Sequence, residues 1–265
     1  MKVTLSKISF DFATPEGTGS LTAPLPGEIQ WELTIPTDPE PPEPERLTGL
    51  VGYWKMDEAS GDRVDVHGGH NLLPQGTVSA AAGKLNQALS LAGSGSLSIA
   101  SAPALQTGDI DFSVALWVRL DSKGAEAQIF GKTGGGGDEW GIKYVLATDR
   151  FAFFIRDVAM GYPHLLASSL GSPAVGTWYF IAAWHSATFD VINISVNAGA
   201  VDTMAVSNGS PVAGSESLRV GGYGPSANLL TGLVDEVQFR KNYLWTTQDL
   251  NYFYGAGTPP AYPFP

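Results

Sequence analysis

Two stretches of the chain, DFSVALWVRL at residues 111–120 and TWYFIAAWHSATF at residues 177–189, decide the fold class. In each of them the side chains alternate with a period of two, and successive residues of a β-strand point to opposite faces. One face of the first stretch carries Phe112, Val114, Leu116, Val118 and Leu120, and the other carries Ser113, Ala115, Trp117 and Arg119. In the second stretch, Trp178, Phe180 and Trp184 lie opposite Tyr179, Ile181 and Ala183. Both stretches are therefore predicted as strands.

Further strands are predicted on both sides of these two, in FAFFIRD, VINISVNAG, SLRVGGYG and GLVDEVQFR, and Gly, Asp, Asn or Pro separates them. One helix is predicted near the end. Thr246 and Asp249 form a capping-box pattern, and Leu250, Phe253 and Tyr254 follow at helical spacing. Many short strands with turn residues between them predict an all-β fold, a two-sheet antiparallel jelly-roll sandwich with one short C-terminal helix.

The composition excludes several classes of function. The chain has 265 residues, a net charge of −11 and a pI near 4.7, so it has no basic stripe for nucleic acid and is repelled by an anionic membrane surface. Without cysteine it has no disulfide, thiol nucleophile or cysteine metal site. No apolar run of signal-peptide length occurs in residues 1–20. We expect a protein that is made in the cytoplasm without a signal peptide.

The chain is predicted to have three parts. Residues 1–35 contain strand-like apolar runs and form a small N-terminal β segment that serves as an anchor. Residues 36–46 are a linker rich in proline and glutamate, in which PTDPEPPEPE favours polyproline II and spans about 30 Å. Residues 47–265 form the jelly roll. The apolar positions of the anchor are Ile8, Phe10, Phe12, Ile29, Trp31, Leu33 and Ile35.

Six segments of the large domain occur in the order of a known family. They are GLVGYWKMDEASGDRVDVHGGHN, KLNQALSLAGSGSLSIA, DIDFSVALWVRL, GTWYFIAAWHSATFDVINISVNAG, ESLRVGGYG and LLTGLVDEVQFRKNYLWTTQDLNYFY. Together they resemble the laminin-G-like jelly rolls of the concanavalin A-like lectin/glucanase superfamily. The resemblance covers residues 47–254, whereas the first 46 residues resemble no family.

Relatives with glucanase activity carry acids that alternate along one strand, so that a nucleophile and a general acid share a face. This chain has no such strand. Asp57 and Glu58 are adjacent, and GDIDFS and GDEWG read as strand ends or loops. We therefore predict that the protein is not an enzyme.

The resemblance also implies a structural calcium ion, bound on the convex face by the first loop and the last strand. Calcium prefers carboxylate and carbonyl oxygens on a tight loop. The ligands that the resemblance and the loop suggest are Asp57, Asp65, Asn71 and Asp235. The alternative is that these side chains cap turns and keep the surface polar.

Aromatic side chains in or beside loops are candidates for stacking on a sugar ring, namely Trp140, Tyr144, Tyr162 and Tyr223. The alternative is ordinary packing beneath the loops. The glycine-rich stretch GKTGGGGDEWG lacks the Gly-Lys-Ser/Thr of a phosphate-binding loop and is predicted as a hairpin tip. The histidines His67, His70, His164 and His185 are too scattered for a zinc motif.

Two hypotheses for the function follow. In the first, the protein is a non-catalytic component of a virus particle, a bacteriophage capsid decoration or tail-surface protein. Residues 1–35 would attach to coat or tail proteins or mediate homo-oligomerisation, because an unpaired strand edge invites pairing. The lectin-like domain would then be displayed on the virion surface, able to bind glycans. In the second, the protein is a cell-derived carbohydrate-binding module.

Overall fold

The computed structural model describes residues 7–14, 17–24, 46–135, 137–159, 161–224 and 226–264. The chain divides into two units, Met1–Pro41 and Pro42–Pro265. In the first unit, β1 (Lys7–Thr14) pairs antiparallel with β2 (Gly17–Pro24), and Phe10 is the partner of Leu21. The predicted strand at residues 29–35 and the linker at 36–45 lie outside the described residues.

The second unit is a sandwich of two antiparallel sheets. The seven-stranded sheet has the order β12 (His164–Leu166), β11 (Arg150–Ile155), β10 (Trp140–Val145), β9 (Ala127–Lys132), β16 (Leu218–Val220), β7 (Gly95–Ile99) and β4 (Leu73–Gly76). The eight-stranded sheet has the order β15 (Asp202–Ala205), β14 (Val191–Val196), β13 (Trp178–Ser186), β8 (Phe112–Leu120), β17 (Thr231–Lys241), β6 (Gln87–Ala92) and β5 (Ser79–Ala82). Its remaining strand, β3 (Leu50–Trp54), pairs with β17. The predicted jelly-roll sandwich is confirmed.

The alternation that predicts β8 and β13 also fixes where their side chains go. The five apolar residues from Phe112 to Leu120 are fully buried in the main core between the sheets, together with Tyr179, Ile181 and Ala183. The opposite faces of the same strands carry Ala115, Trp117, Phe180 and Trp184, which form a second apolar cluster. A strand that buries both faces sits centrally in its sheet, and β8 and β13 are paired with each other.

The C-terminal part of the chain covers this second cluster. Helix α1 (Thr247–Tyr254) starts with the predicted capping box, in which the Asp249 N–H donates to Thr246 Oγ1 at 3.1 Å and the Thr246 N–H donates to Asp249 Oδ2 at 3.0 Å. Its buried residues Leu250 and Phe253 pack on the sheet, and Phe264 follows them into the cluster. No helix that the structure describes is long and apolar enough to cross a membrane.

Candidate functional site

A cleft of about 400 Å³ opens where the chain leaves β11, and we call it the Tyr162 cleft. Its lining residues are Arg156, Asp157, Val158, Gly161, Tyr162 and Val212. The chain turns tightly here, since the Asp157 N–H donates to Gly161 O at 2.7 Å and the Gly161 N–H donates back to Asp157 O at 3.2 Å. The cleft is within the size range of small-ligand pockets, about 300–1,000 Å³.

Hydrogen bonds to a second loop brace the walls of the cleft. The Asp157 carboxylate accepts from the N–H groups of Ala159 at 2.7 Å and Ser207 at 2.6 Å. The Val158 N–H donates to Ser210 Oγ at 3.3 Å, and the Val212 N–H donates to Arg156 O at 3.0 Å. Because loops 156–162 and 207–212 are tied together at several points, the cleft is preformed rather than assembled around a ligand.

One of the four predicted aromatic residues, Tyr162, lines this cleft, and a second, Tyr223, lies near Tyr162. The Tyr162 side chain is 45% exposed and forms part of the wall. Tyr223 is half-buried, and its hydroxyl donates to Asp138 Oδ2 at 2.9 Å. Burial and this hydrogen bond raise the pKa of Tyr223 to about 12, and the nearby Tyr162 contributes in the same direction. The Tyr223 phenol therefore stays protonated at physiological pH and holds the Asp138 carboxylate.

The other two predicted aromatic residues need a correction. Trp140 and Tyr144 are not beside loops but on β10, where they are 0% and 1% exposed. The Trp140 ring packs on Phe130 and Phe239, with ring centroids 5.5 and 5.7 Å apart. In the strand WGIKYV the apolar residues alternate, so both rings point into the main core and neither has a free face for a sugar. Trp140 and Tyr144 are therefore ordinary core residues and not candidates for stacking on a sugar.

The glycine-rich stretch is the connection between β9 and β10, which agrees with the predicted hairpin tip. Asp138 closes it, because Asp138 Oδ1 accepts from the Gly134 N–H at 2.9 Å. The Glu216 side chain lies over the glycines, and a Cβ atom at Gly134 would be 2.7 Å from its Oε2. At the base of the connection, Lys132 and Glu139 form a fully buried ion pair with Nζ and Oε1 2.7 Å apart.

The chain's own side chains fill the neighbouring outer face of the seven-stranded sheet. Gly131 and Gly141 are partners on β9 and β10, and a Cβ at Gly141 would meet Gln128 Nε2 at 2.3 Å and the Phe154 ring at 2.7 Å. Gln128 and Phe154 are 2% and 4% exposed. The free aromatic surface is therefore at the end of this sheet, in the Tyr162 cleft, rather than at its centre.

The loop after β3 is organised by Asp65, which is 5% exposed. Asp65 Oδ1 accepts from the N–H groups of Tyr53 at 2.9 Å, His67 at 3.0 Å and Gly68 at 3.0 Å, and Asp65 Oδ2 accepts from the His70 N–H at 2.9 Å. Asn71 Oδ1 in turn accepts from the Asp65 N–H at 3.0 Å. For Asp65 and Asn71 the geometry favours the turn-capping alternative over a role as metal ligands.

Asp57 and Asp235 meet at a different place, the turn before β6. Asp235 Oδ2 accepts from the N–H groups of Lys84 at 2.7 Å and Leu85 at 3.0 Å, and Asp57 Oδ1 accepts from the Gln87 N–H at 3.1 Å. Burial raises the pKa of Asp235 to about 7, and the Asp57 charge adds to the shift although backbone N–H donors oppose it. The turn thus contacts both the first loop, through Asp57, and the last strand, through Asp235.

Glu236 follows Asp235 on β17 and is also a buried carboxylate. It sits at a bulge in β17 with φ of 49°, is 3% exposed and accepts a hydrogen bond from the Tyr53 hydroxyl. Burial raises the pKa of Glu236 to about 8, with the charges of Asp235 and Asp57 adding to the shift. Its Oε1 is buried and has no hydrogen-bond partner within the described residues. Buried carboxylates are normally paired with a cation or coordinate a metal.

The carboxyl groups of Asp57, Asp235 and Glu236 would attract a cation, and calcium prefers oxygen donors of this kind. Within the described ranges, however, no three Asp, Glu or His side chains converge as a complete metal ligand set. A calcium ion here would be held by Asp57 and Asp235, and it would favour the charged form of Asp235. The calcium site stays a prediction, with Asp65 and Asn71 removed from it.

The comparisons with known proteins agree with the fold. The family described as the concanavalin A-like lectin/glucanases superfamily matches residues 91–246, more than half of the chain. No curated protein matches the sequence. The binding domain of Paraclostridial Mosquitocidal Protein 1 is 12% identical to this chain, and the two structures have a TM-score of 0.62. The match covers 78% of this chain but only 52% of that structure. A second similar structure is domain 4 of AbnA, a GH43 extracellular arabinanase from Geobacillus stearothermophilus, in complex with arabinotriose. It is 18% identical to this chain with a TM-score of 0.58, and the match covers 76% of this chain and 96% of that domain.

A third similar structure is the botulinum neurotoxin DC binding domain in complex with SialylT, with 13% identity and a TM-score of 0.61. The match covers 80% of this chain and 52% of that structure. At these identities the solved structures establish a shared fold.

Proposed function

This chain belongs to the concanavalin A-like lectin/glucanases superfamily, and on that premise we propose that it is a non-catalytic protein that binds a saccharide in the Tyr162 cleft. The observation that carries the proposal is the exposed Tyr162 ring on the wall of a braced cleft. An aromatic ring next to polar groups suits a sugar, which presents C–H bonds on its face and hydroxyls at its edge. The arabinotriose bound to domain 4 of AbnA supports a saccharide as the ligand class.

The carboxylates around the cleft support binding rather than hydrolysis. Asp157 accepts from two backbone N–H groups, and Asp138 accepts from Gly134 and Tyr223. A glycosidase needs two carboxyl groups that flank the bond to be cleaved, one of them protonated as the general acid. Here the hydrogen-bond donors hold each carboxylate in the loop structure.

Replacing Tyr162 with alanine is expected to weaken saccharide binding by about tenfold or more, equivalent to about 1.4 kcal/mol. The ligand would first be identified with the full-length protein on a glycan array, and the affinity would be measured by titration calorimetry. Phe189→Ala is the matched control, because Phe189 is an aromatic residue that is 73% exposed on a different loop. Chromatography should recover the bound saccharide uncleaved. An array without any bound glycan, or equal losses in both variants, would refute the proposal.

We also propose that the protein is displayed on a virus particle, with its first unit attached to coat or tail proteins. Support comes from the separate unit Met1–Pro41, which contains the β1–β2 hairpin. A lone two-stranded hairpin is marginally stable in water, so a partner that extends the sheet would stabilise it. A cell-derived carbohydrate-binding module is the other hypothesis, and it uses the same cleft.

Deleting residues 1–41 is expected to leave a folded domain that binds saccharide but no longer joins its particle or oligomer. The cut must leave Arg46 in place, because the Arg240 guanidinium donates to Arg46 O at 2.6 Å and to Thr48 O at 2.8 Å. Folding would be checked by thermal melting, and attachment by sedimentation with particles and by light scattering. Normal assembly of the shortened chain, or its failure to fold, would exclude an anchor role for this segment.

A further inference from the structure

One polar side chain of the Tyr162 cleft has no partner among the residues that the structure describes. The backbone of Arg156 is fixed, since its N–H donates to Glu139 O at 2.8 Å and its C=O accepts from Val212. Its guanidinium, however, makes no hydrogen bond, ion pair or ring contact with any residue in the described part of the chain. Arg156 as a whole residue is partly buried.

The other arginines of the described chain all have partners. Their contacts are to backbone carbonyls, carboxylates or aromatic rings, as seen for Arg46, Arg63, Arg119, Arg150, Arg219 and Arg240. Arg156 is therefore the exception, and it is the arginine that lines the cleft. A guanidinium carries five N–H donors in a planar fork and matches a carboxylate through two parallel hydrogen bonds.

The acidic residue next to Arg156 does not neutralise it. Both Asp157 oxygens accept backbone N–H groups, from Ala159 and from Ser207, and these bonds direct the carboxylate to the loops. Tyr162 and Arg156 both line the cleft. An aromatic residue that suits the ring of a sugar and an arginine that suits an anionic substituent therefore belong to one cavity.

We propose that the Tyr162 cleft selects saccharides that carry a carboxylate group, with Arg156 as the residue that binds this group. The inference rests on the proposed function and adds the chemical class of the ligand. Sugars with a uronic or sialic acid unit fit this description. The remaining surface of the protein is acidic, with a net charge of −11, so the attraction must be local to the cleft.

The test compares saccharides that differ only in charge. The probes are the methyl glycosides of galacturonic acid and of N-acetylneuraminic acid, each paired with its methyl ester, titrated into the full-length protein and followed by NMR. At least one acid is expected to bind about tenfold tighter than its ester, and to weaken as NaCl rises from about 50 to about 300 mM. Arg156→Gln should abolish the preference without lowering the melting temperature. Arg150→Gln, at the opposite end of β11, should keep it.

The outcomes separate this inference from the proposed function. If array glycans bind but neither acid is preferred over its ester, the inference is wrong and saccharide binding stands. If the preference survives in Arg156→Gln, the carboxylate is bound elsewhere and the role of Arg156 is wrong. If no saccharide binds at all, both proposals fail.

Discussion

Replacing Lys132 with methionine is expected to destabilise the fold by about 3–5 kcal/mol, the usual cost of leaving a buried charge without its partner. Lys132 Nζ and Glu139 Oε1 are 2.7 Å apart, and both side chains are fully buried. Methionine keeps much of the apolar stem but removes the charge, so the Glu139 carboxylate would stay in the interior with the Thr107 hydroxyl as its neighbour. Urea denaturation followed by tryptophan fluorescence measures the loss.

Two further variants make this prediction specific. Lys132→Met combined with Glu139→Gln is expected to recover most of the stability, because the double change removes both charges. Lys123→Met is the matched surface control. Its partner Asp149 is also 2.7 Å away, but both side chains are partly exposed, so the expected loss is below about 1 kcal/mol. Equal losses for Lys132→Met and Lys123→Met would contradict the argument from burial.

Replacing Asp65 with alanine is expected to cost about 3 kcal/mol or more, because four backbone N–H groups lose their charged acceptor. Asp65→Asn should cost less, since its one carbonyl oxygen can keep the donors that converge on Oδ1. Asp62→Ala, at an exposed position of the same loop, should change stability by less than about 0.5 kcal/mol. Thermal and urea denaturation measure all three variants.

Asp65→Ala and one further variant, Asp57→Asn, test the calcium site. If calcium binds at Asp57 and Asp235, excess calcium should raise the melting temperature and a chelator should lower it. Asp57→Asn should abolish this difference, whereas the loss in Asp65→Ala should be equal in calcium and in chelator. A calcium effect that disappears in Asp65→Ala would return Asp65 to the ligand set. An unchanged melting temperature in protein confirmed free of metal would remove the site.

The sequence alone was sufficient for the features that depend on neighbouring residues. The period of two in β8 and β13 predicted the strands and the division of their side chains between two faces, and the structure places these faces in two separate apolar clusters. The pair Thr246 and Asp249 predicted the start of α1, because a capping box is closed within one turn of helix. These patterns are local, so the chain carries them before it folds.

The candidate site depended on contacts between distant segments. Asp57 and Asp65 belong to one short acidic stretch, yet Asp57 reaches the turn before β6 near Asp235, and Asp65 closes its own loop. Trp140 and Tyr144 looked suitable for stacking, but the orientation of β10 buries them. A correct assignment of WGIKYV as a strand would have shown this from its alternation.

No sequence signal marked Arg156. An arginine is unpaired only if none of the loops around it offers an acceptor. Around Arg156, one of these loops contains Val212, which is 56 residues further along the chain. The sequence by itself therefore determined the central strands β8 and β13, the helix and the family, since these follow from local periodicity and from the order of motifs. Only the tertiary structure decided which polar groups meet, which are satisfied and which remain open to a ligand, because hydrogen-bond satisfaction is a property of the folded surroundings of a group.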